Sequence, residues 1–435
     1  MTIMCYSIPG KVVEITGRTA IVDYFGEKRK ALNELVNVKV GDYIYAQGGF
    51  IINVVPEKEA LEVLKDWHDI FFALQKTDVR LSRLDMDKTG IDNEISAILD
   101  KAAEAKPLSK GELLKLMRIK EKKELNLLFK VANFLRQKYL KNACCIHGII
   151  EFSNYCRNDC EYCGIRNSAD IARYRMTDEE IYQAVDDAVD KYGFKALVLQ
   201  SGEDPEFTVD RLANIIREIK KRHAVLLFIS IGEIGKDGLK KLYDAGARGL
   251  LMRFETSDRK LYSKLHCGDK LDDRIRDIKD AYGIGYLVLS GGLIGLPGQS
   301  EESLLNDILL TKELHAEMFS FGPVLLAPKS NSSGPEGPDT ELVLKVLAIS
   351  RIVDPKNAKI VVTTGFETLD KNARTLGLMA GANSMMLNVT PVKFRKMYNI
   401  YPNRAHEEES IEQQIDEAVS LLQKLGRAPT DIGIS

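Results

Sequence analysis

Apolar and polar residues alternate with period two over residues 11–15, 19–24, 28–32 and 43–46. Such alternation predicts short, half-buried strands, with turns at Thr16-Gly17 and Phe25-Gly26. Residues 50–55 add one more strand, so the start of the chain predicts a small β-barrel. Pro56-Glu57 then opens an amphipathic helix that covers residues 58–67 and continues beyond them. The pattern weakens over residues 68–94, and the polar stretch 77–93 reads as a connection. Ser109 and Glu112 have capping-box spacing. Helical periodicity follows over residues 113–118 and 122–138.

From there apolar runs and helical patterns alternate. Strand-like runs lie at residues 146–152, 196–200, 225–231, 249–254, 286–294, 318–326, 359–363 and 384–389. Helical stretches between them cover 178–192, 209–222, 238–245, 271–281, 301–314 and 339–353. Eight parallel-type strands with intervening helices predict a complete TIM-type (β/α)8 barrel, and a doubly wound open sheet is the structural rival. The fold class is thus α/β. Residues 1–70 form a small β-barrel plus helix, 71–105 a partly helical linker, and 106–435 the (β/α)8 barrel.

Composition narrows the function classes. The chain has 435 residues, 45% hydrophobic and 29% charged, as expected for a globular protein. A net charge of −2 gives no basis for a nucleic-acid surface. No apolar run reaches the roughly 18 residues of a membrane span. The N-terminal residues lack a basic start and a long apolar core, so no secretory signal is expected. Seven cysteines, an odd number with three in one tight array, point to a reducing cytoplasm and not to a disulfide framework.

That array is Cys156, Cys160 and Cys163, in C-x3-C-x2-C spacing, with Tyr162 before the last thiol. Thiolates this close can wrap one iron–sulfur cluster and leave one iron open. A closed zinc site requires four ligands, and the nearest spare, His147, precedes the loop by a whole strand. The motif resembles the signature of radical S-adenosylmethionine (SAM) enzymes. The resemblance implies that the three cysteines hold one [4Fe–4S] cluster whose open iron is chelated by SAM.

In a barrel, functional groups fall at the C-terminal ends of strands. The runs there are Gln200-Ser201-Gly202-Glu203, Ser230-Ile231-Gly232-Glu233, Arg253-Phe254-Glu255, Gly295–Gln299, Thr363-Thr364 and Asn388–Pro391, with Tyr398 and Tyr401 beyond. Gly202 permits close backbone approach, and Glu203 is placed to accept from an ammonium group. Any one of these could be a turn or cap; their recurrence at nearly every strand end is the signal. Their wording, with IIEFSNYCRNDCEYCGIR, QSGEDP, RFETSD and GLIGLPGQS, resembles the HydE family of [FeFe]-hydrogenase maturases over residues 106–402. The resemblance implies that Tyr162, Gly202, Glu203, Ser230, Glu255 and Arg274 bind SAM. It also implies that Gln200, Ser201, Arg253, Met318, Thr363, Thr364, Tyr398 and Tyr401 line a substrate cavity. Family members often have His where this chain has Phe254 and Thr where it has Phe228, so a less polar cavity wall is expected. No cysteine follows Cys267, so an accessory cluster is not expected.

Residues 4–68 resemble the HypC/HupF hydrogenase chaperones, through MCYSIPGKVVEI, TAIVDYFGEKRKA and VKVGDYIYAQGGF. That family's iron-binding cysteine matches Cys5, while Gln47 replaces its histidine. An iron relay at Cys5 and a barrel kept only for docking both remain open. The resemblances together imply a radical acting on a small iron–cysteine complex with CO and CN ligands, supplied by another maturase, with transient maturation-protein partners. Alternatives are a methylornithine synthase-like enzyme on a small organic substrate and a non-enzymatic iron carrier. Cys144 and Cys145 read as small buried hydrophobes, and His266-Cys267 as a surface pair.

Overall fold

A computed structural model describes residues 6–85, 87–266, 270–325 and 338–432. The alternating N-terminal runs form β1 (Gly10–Thr16), β2 (Thr19–Tyr24), β3 (Glu27–Leu32), β4 (Tyr43–Gln47) and β5 (Phe50–Val55). They close into a barrel in the order β1-β2-β3-β5-β4. Phe25 and Gly26 both have positive φ, as the tight β2–β3 hairpin requires. Cys5, the proposed relay residue, and Cys267 lie outside the described residues.

Helix α1 (Glu57–Leu81) runs further than the amphipathic pattern alone indicated. Its outer half carries Asp78, which is buried and gripped at both oxygens by Arg136, each contact 2.8 Å, with Arg427 at 3.0 Å. The ion pairs bind the helix to the larger unit, and that is why a polar stretch continues as helix. Next come α2 (Asn93–Ala103), α3 (Lys110–Met117), capped by the Ser109–Glu112 box, and α4 (Lys122–Leu140).

The large barrel has eight parallel strands. They are β6 (Ala143–Ser153), β7 (Ala196–Ser201), β8 (Leu226–Ser230), β9 (Gly249–Leu251), β10 (Leu287–Ser290), β12 (Met318–Phe319), β14 (Lys359–Val362) and β15 (Ser384–Asn388). The barrel closes where β15 pairs with β6, from Ser384↔Cys145 to Asn388↔Ile149. The open-sheet rival is thereby excluded. The predicted runs at 286–294 and 318–326 are each split. Short β11 (Leu293–Ile294) and β13 (Gly322–Pro323) pair separately above the barrel. The first split falls at Gly291 and Gly292, where a Cβ would lie 2.3 Å from Ser320 O and 2.4 Å from Glu255 O. A two-residue β16 (Ala428–Pro429) joins the start of β6.

Strand alternation separates two cores. Cys144, Ile146, Ile150 and Phe152 face the surrounding helices. Cys145, Ala196, Val198, Leu226, Phe228, Leu289, Met318 and Val361 pack inside, in one cluster with Tyr6, Ile8, Ala46, Phe50 and Ile51 of the small barrel. The small barrel therefore sits on the foot of the large one and seals it. A Cβ on Gly48 would come within 2.7 Å of Leu226 and 2.8 Å of Leu287. Tyr6 donates to Asn142 Oδ1 at 2.9 Å, and Ser7 bonds the backbone of Pro429 and Ile432.

Asp78→Ala would leave two buried guanidiniums uncompensated, which costs about 3–5 kcal/mol. Chemical unfolding of the full chain should report that loss. Asp100→Ala, which breaks the exposed 2.6 Å pair with Lys88, should cost under ~1 kcal/mol. Equal effects for the two would contradict this role for Asp78.

Candidate active site

The loop after β6 has little regular structure of its own, and a single guanidinium organises it. Arg173 donates to the carbonyls of Asn154 at 2.6 Å, Ile165 at 2.8 Å and Ala169 at 3.1 Å, and also to that of Arg166. Asn154 ties the loop to Ala172 O at 2.8 Å and Met397 O at 2.7 Å. Held this way, Cys156, Cys160 and Cys163 all face one cavity of about 320 Å³. Burial pushes the Cys163 thiol up to about 12 and raises that of Cys156. Neutral thiols in a protected pocket lose their protons when iron binds.

The turn after β7 supports the loop from the side. Ser153 and Arg175 hold Asp204 at 2.6 and 2.7 Å, which fixes the Gly202-Glu203 turn. A Cβ on Gly202 would lie 2.3 Å from Tyr155 O and 2.8 Å from the Cys156 Cβ. Glu203 takes an ion pair from Arg157 at 2.9 Å and lies 3.8 Å from Arg274. Arg274 is buried, with Glu233 and the Tyr262 hydroxyl each 3.1 Å away. Glu255 pairs with Arg253 at 3.1 Å and has φ of 65°. A buried non-glycine residue in the left-handed region is strained and persists only where its surroundings enforce it. Here Leu293 N donates to Glu255 O at 2.8 Å and pins it.

Of the predicted residues, Cys156, Cys160, Cys163, Tyr162, Gly202, Glu203, Ser230, Glu255 and Arg274 line the cavity. So do Gln200, Ser201, Arg253, Thr363, Thr364, Tyr398 and Tyr401. Met318 does not. It begins β12, low in the barrel, and packs in the inner apolar core with the Ser384 hydroxyl 3.8 Å from its sulfur. Phe254 and Phe228 do not line the cavity either. Phe254 belongs to the outer core, and Phe228 stacks on His147 at 4.9 Å. The cavity wall therefore owes no loss of polarity to these two residues.

Two residues at the site were not predicted from the sequence. Glu151 is a buried residue of the cavity wall, accepting from Arg404 at 2.6 Å and Asn388 at 2.9 Å. Burial pushes its carboxyl up, against the pull of Arg404. It was visible as the one acidic residue of an apolar strand, two positions from inward-facing Ile149. His266, read as a surface residue, is buried. Its ring lies 3.5 Å from Cys160 Sγ and 3.0 Å from the Tyr162 hydroxyl, and stacks on Tyr262 at 4.1 Å. Burial, with Arg274 nearby, takes its pKa down to about 3, so the ring is neutral. Burial also raises the Tyr401 phenol to about 12 and Tyr398 further, so both stay protonated donors.

The Gly202 contacts make a sharp prediction. In Gly202→Ala the cysteine loop cannot seat, and iron bound after anaerobic reconstitution should fall to roughly half or less of the parent value. Gly283→Ala, whose Cβ would meet nothing within 4 Å, should bind iron normally. Full iron loading of Gly202→Ala would contradict the packing argument.

Comparison with known proteins places this geometry. Residues 4–67 match the HupF/HypC family and residues 150–310 the radical SAM superfamily. The [FeFe] hydrogenase maturase subunit HydE of Thermotoga maritima is 37% identical over 303 residues, 69% of this chain and 86% of that protein. The 3-methylornithine synthase of Methanosarcina acetivorans is 30% identical over 293 residues, 65% of this chain and 80% of that protein. The crystal structure of methylornithine synthase (PylB) superposes with a TM-score of 0.65 at 26% identity, covering 77% of this chain and 97% of that one. The cysteine loop, the closed eight-stranded barrel and these likenesses agree: the chain belongs to the radical SAM superfamily, within the HydE family, and carries a HupF/HypC-family domain at its N-terminal side.

Proposed function

We propose that this protein is a hydrogenase maturase that turns a SAM-derived radical on a cysteine-bound iron complex carrying CO and CN, during assembly of the [FeFe]-hydrogenase H-cluster. One observation carries the reading: the three cysteines and the inner polar side chains line the same cavity. A radical made at the loop would form in the same cavity as a substrate bound deeper inside.

The residues present fit the family's cofactors. Three thiols on one loop, with acid and base groups opposite, suit a cluster that keeps one iron for SAM. When bound, the [4Fe–4S] cluster and SAM supply one-electron reductive cleavage to methionine and a 5′-deoxyadenosyl radical. Cys156, Cys160 and Cys163 would hold the cluster. Glu203 would accept the SAM ammonium in place of Arg157. Arg274 offers a fork of donors to a carboxylate, and Glu255 accepts from a ribose. Gly202 and Ser230 bring small groups to that wall, and Tyr162 is braced behind the loop by His266.

Deeper in, Arg253, Arg404, the Tyr398 and Tyr401 phenols, Thr363, Thr364, Gln200 and Ser201 offer cationic and donor groups. These donors suit a complex with cyanide and carboxylate acceptors. Such a complex would come from another maturase in the cytoplasm, with the N-terminal domain receiving, delivering or docking it. Among the described residues no helix is long and apolar enough to cross a membrane.

Anaerobic incubation of the reduced, reconstituted protein with SAM tests the reading. The iron–cysteine complex should raise 5′-deoxyadenosine formation about tenfold or more over SAM alone, and free amino acids should not. Stimulation by a free amino acid and not by the complex would move the protein to a methylornithine synthase-like class acting on a small organic substrate. No cleavage under any condition, despite a SAM-dependent change in the cluster's spectrum, would leave a carrier.

A further inference from the structure

At the foot of the large barrel, opposite the cysteine loop, lies a second cluster of ligating side chains. The inward positions of β6 are Cys145, His147, Ile149 and Glu151; the last two line the cavity and the first two lie below it. Asp431, just past β16, reaches the same space. One ligating atom each from Cys145, His147 and Asp431 lies within 4.8 Å of the others, and all three residues are buried. The His147 Nε2 to Asp431 Oδ2 distance is 3.6 Å. We propose that Cys145, His147 and Asp431 form a binding site for one divalent transition-metal ion, Zn²⁺ or Fe²⁺, distinct from the cysteine loop.

Four features support it. Thiolate, imidazole and carboxylate together are a borderline donor set, suited to Zn²⁺ and Fe²⁺ and poor for Mg²⁺ or Ca²⁺. Three protein ligands leave a fourth position open. His147 is buried, and its ring stacks on Phe228 at 4.9 Å with Nε2 facing Asp431, so the imidazole is already aimed at the site. Charge also balances. A Cys145 thiolate and the Asp431 carboxylate neutralise a divalent ion, and the nearby Lys359 is already paired with Glu317. Binding converts the Cys145 thiol to a metal–sulfur bond and releases one proton to solvent.

The surroundings are built to hold these groups. Asp431 Oδ2 accepts from Ile146 N at 3.1 Å and from the Thr430 hydroxyl at 2.6 Å, which orients its carboxylate. The small barrel closes the foot from below through residues 47–50. Gln47 there is completely buried with both amide atoms unpartnered among the described residues. A site sealed by that domain should exchange its ion slowly.

The test uses the full-length, cluster-reconstituted protein. After incubation with Zn²⁺ and desalting, elemental analysis should find one zinc per chain, with the cluster's absorbance unchanged. Zinc K-edge absorption should show one sulfur ligand among nitrogen and oxygen ligands. Cys145→Ser and His147→Leu should each lower retained zinc about tenfold, and Cys144→Ser, whose side chain faces the outer core, should not. Where circular dichroism shows that Cys145→Ser fails to fold, Asp431→Asn gives the same reading. No retained zinc in the parent, or equal retention in Cys145→Ser or Asp431→Asn, overturns the proposal.

Discussion

Closure of the large barrel between β15 and β6 is the constraint on which the rest depends. Once that ladder forms, strand alternation sends every second residue of β6 onto one axis. Reading outward from the foot, those residues are Cys145, His147, Ile149 and Glu151, followed by the cysteine loop. A one-residue slip would send this polar series into the outer apolar core and expel Ile146 and Ile150 from it. The register is therefore enforced by packing on both sides of the same strand, and the chemistry takes its position from that packing.

Above the barrel, precision comes from side chains that collect backbone. Arg173 gathers carbonyls of the cysteine loop, Asp204 fixes the neighbouring turn, and Leu293 holds Glu255 in a strained conformation. Below it, the small barrel shares an apolar core with the barrel interior, where a free-standing barrel would meet solvent. The fusion thus makes one body with two differently closed ends. The loop end opens on the cavity lined by the three cysteines, and the foot is sealed by the HupF/HypC-family domain.

The strands of both barrels were legible because period-two alternation and glycine turns are local signals. The cysteine loop and most cavity residues were legible because a barrel exposes its chemistry at strand ends. Met318 was misplaced because its strand is only two residues long, which leaves its depth along the axis to its neighbours. His266 was misread because burial came from Tyr262, one helical turn back, and from Tyr162 on another loop. The continuation of α1 through Asp78 depended on Arg136 and Arg427, which lie far along the chain. Arg404 likewise found Glu151 across the barrel, a contact no sequence spacing announces.

A radical that takes a hydrogen atom from a closed-shell iron complex ends as 5′-deoxyadenosine and leaves one unpaired electron on the complex. Electron paramagnetic resonance of freeze-quenched samples can therefore locate the reaction. The protein carries an unlabelled cluster and receives SAM with an iron–cysteine complex enriched in ⁵⁷Fe. A new signal broadened by ⁵⁷Fe, requiring SAM and absent in Cys160→Ala, is the predicted result. A SAM-dependent signal with no ⁵⁷Fe broadening, or none at all while 5′-deoxyadenosine accumulates, would contradict attack on the iron complex within this cavity.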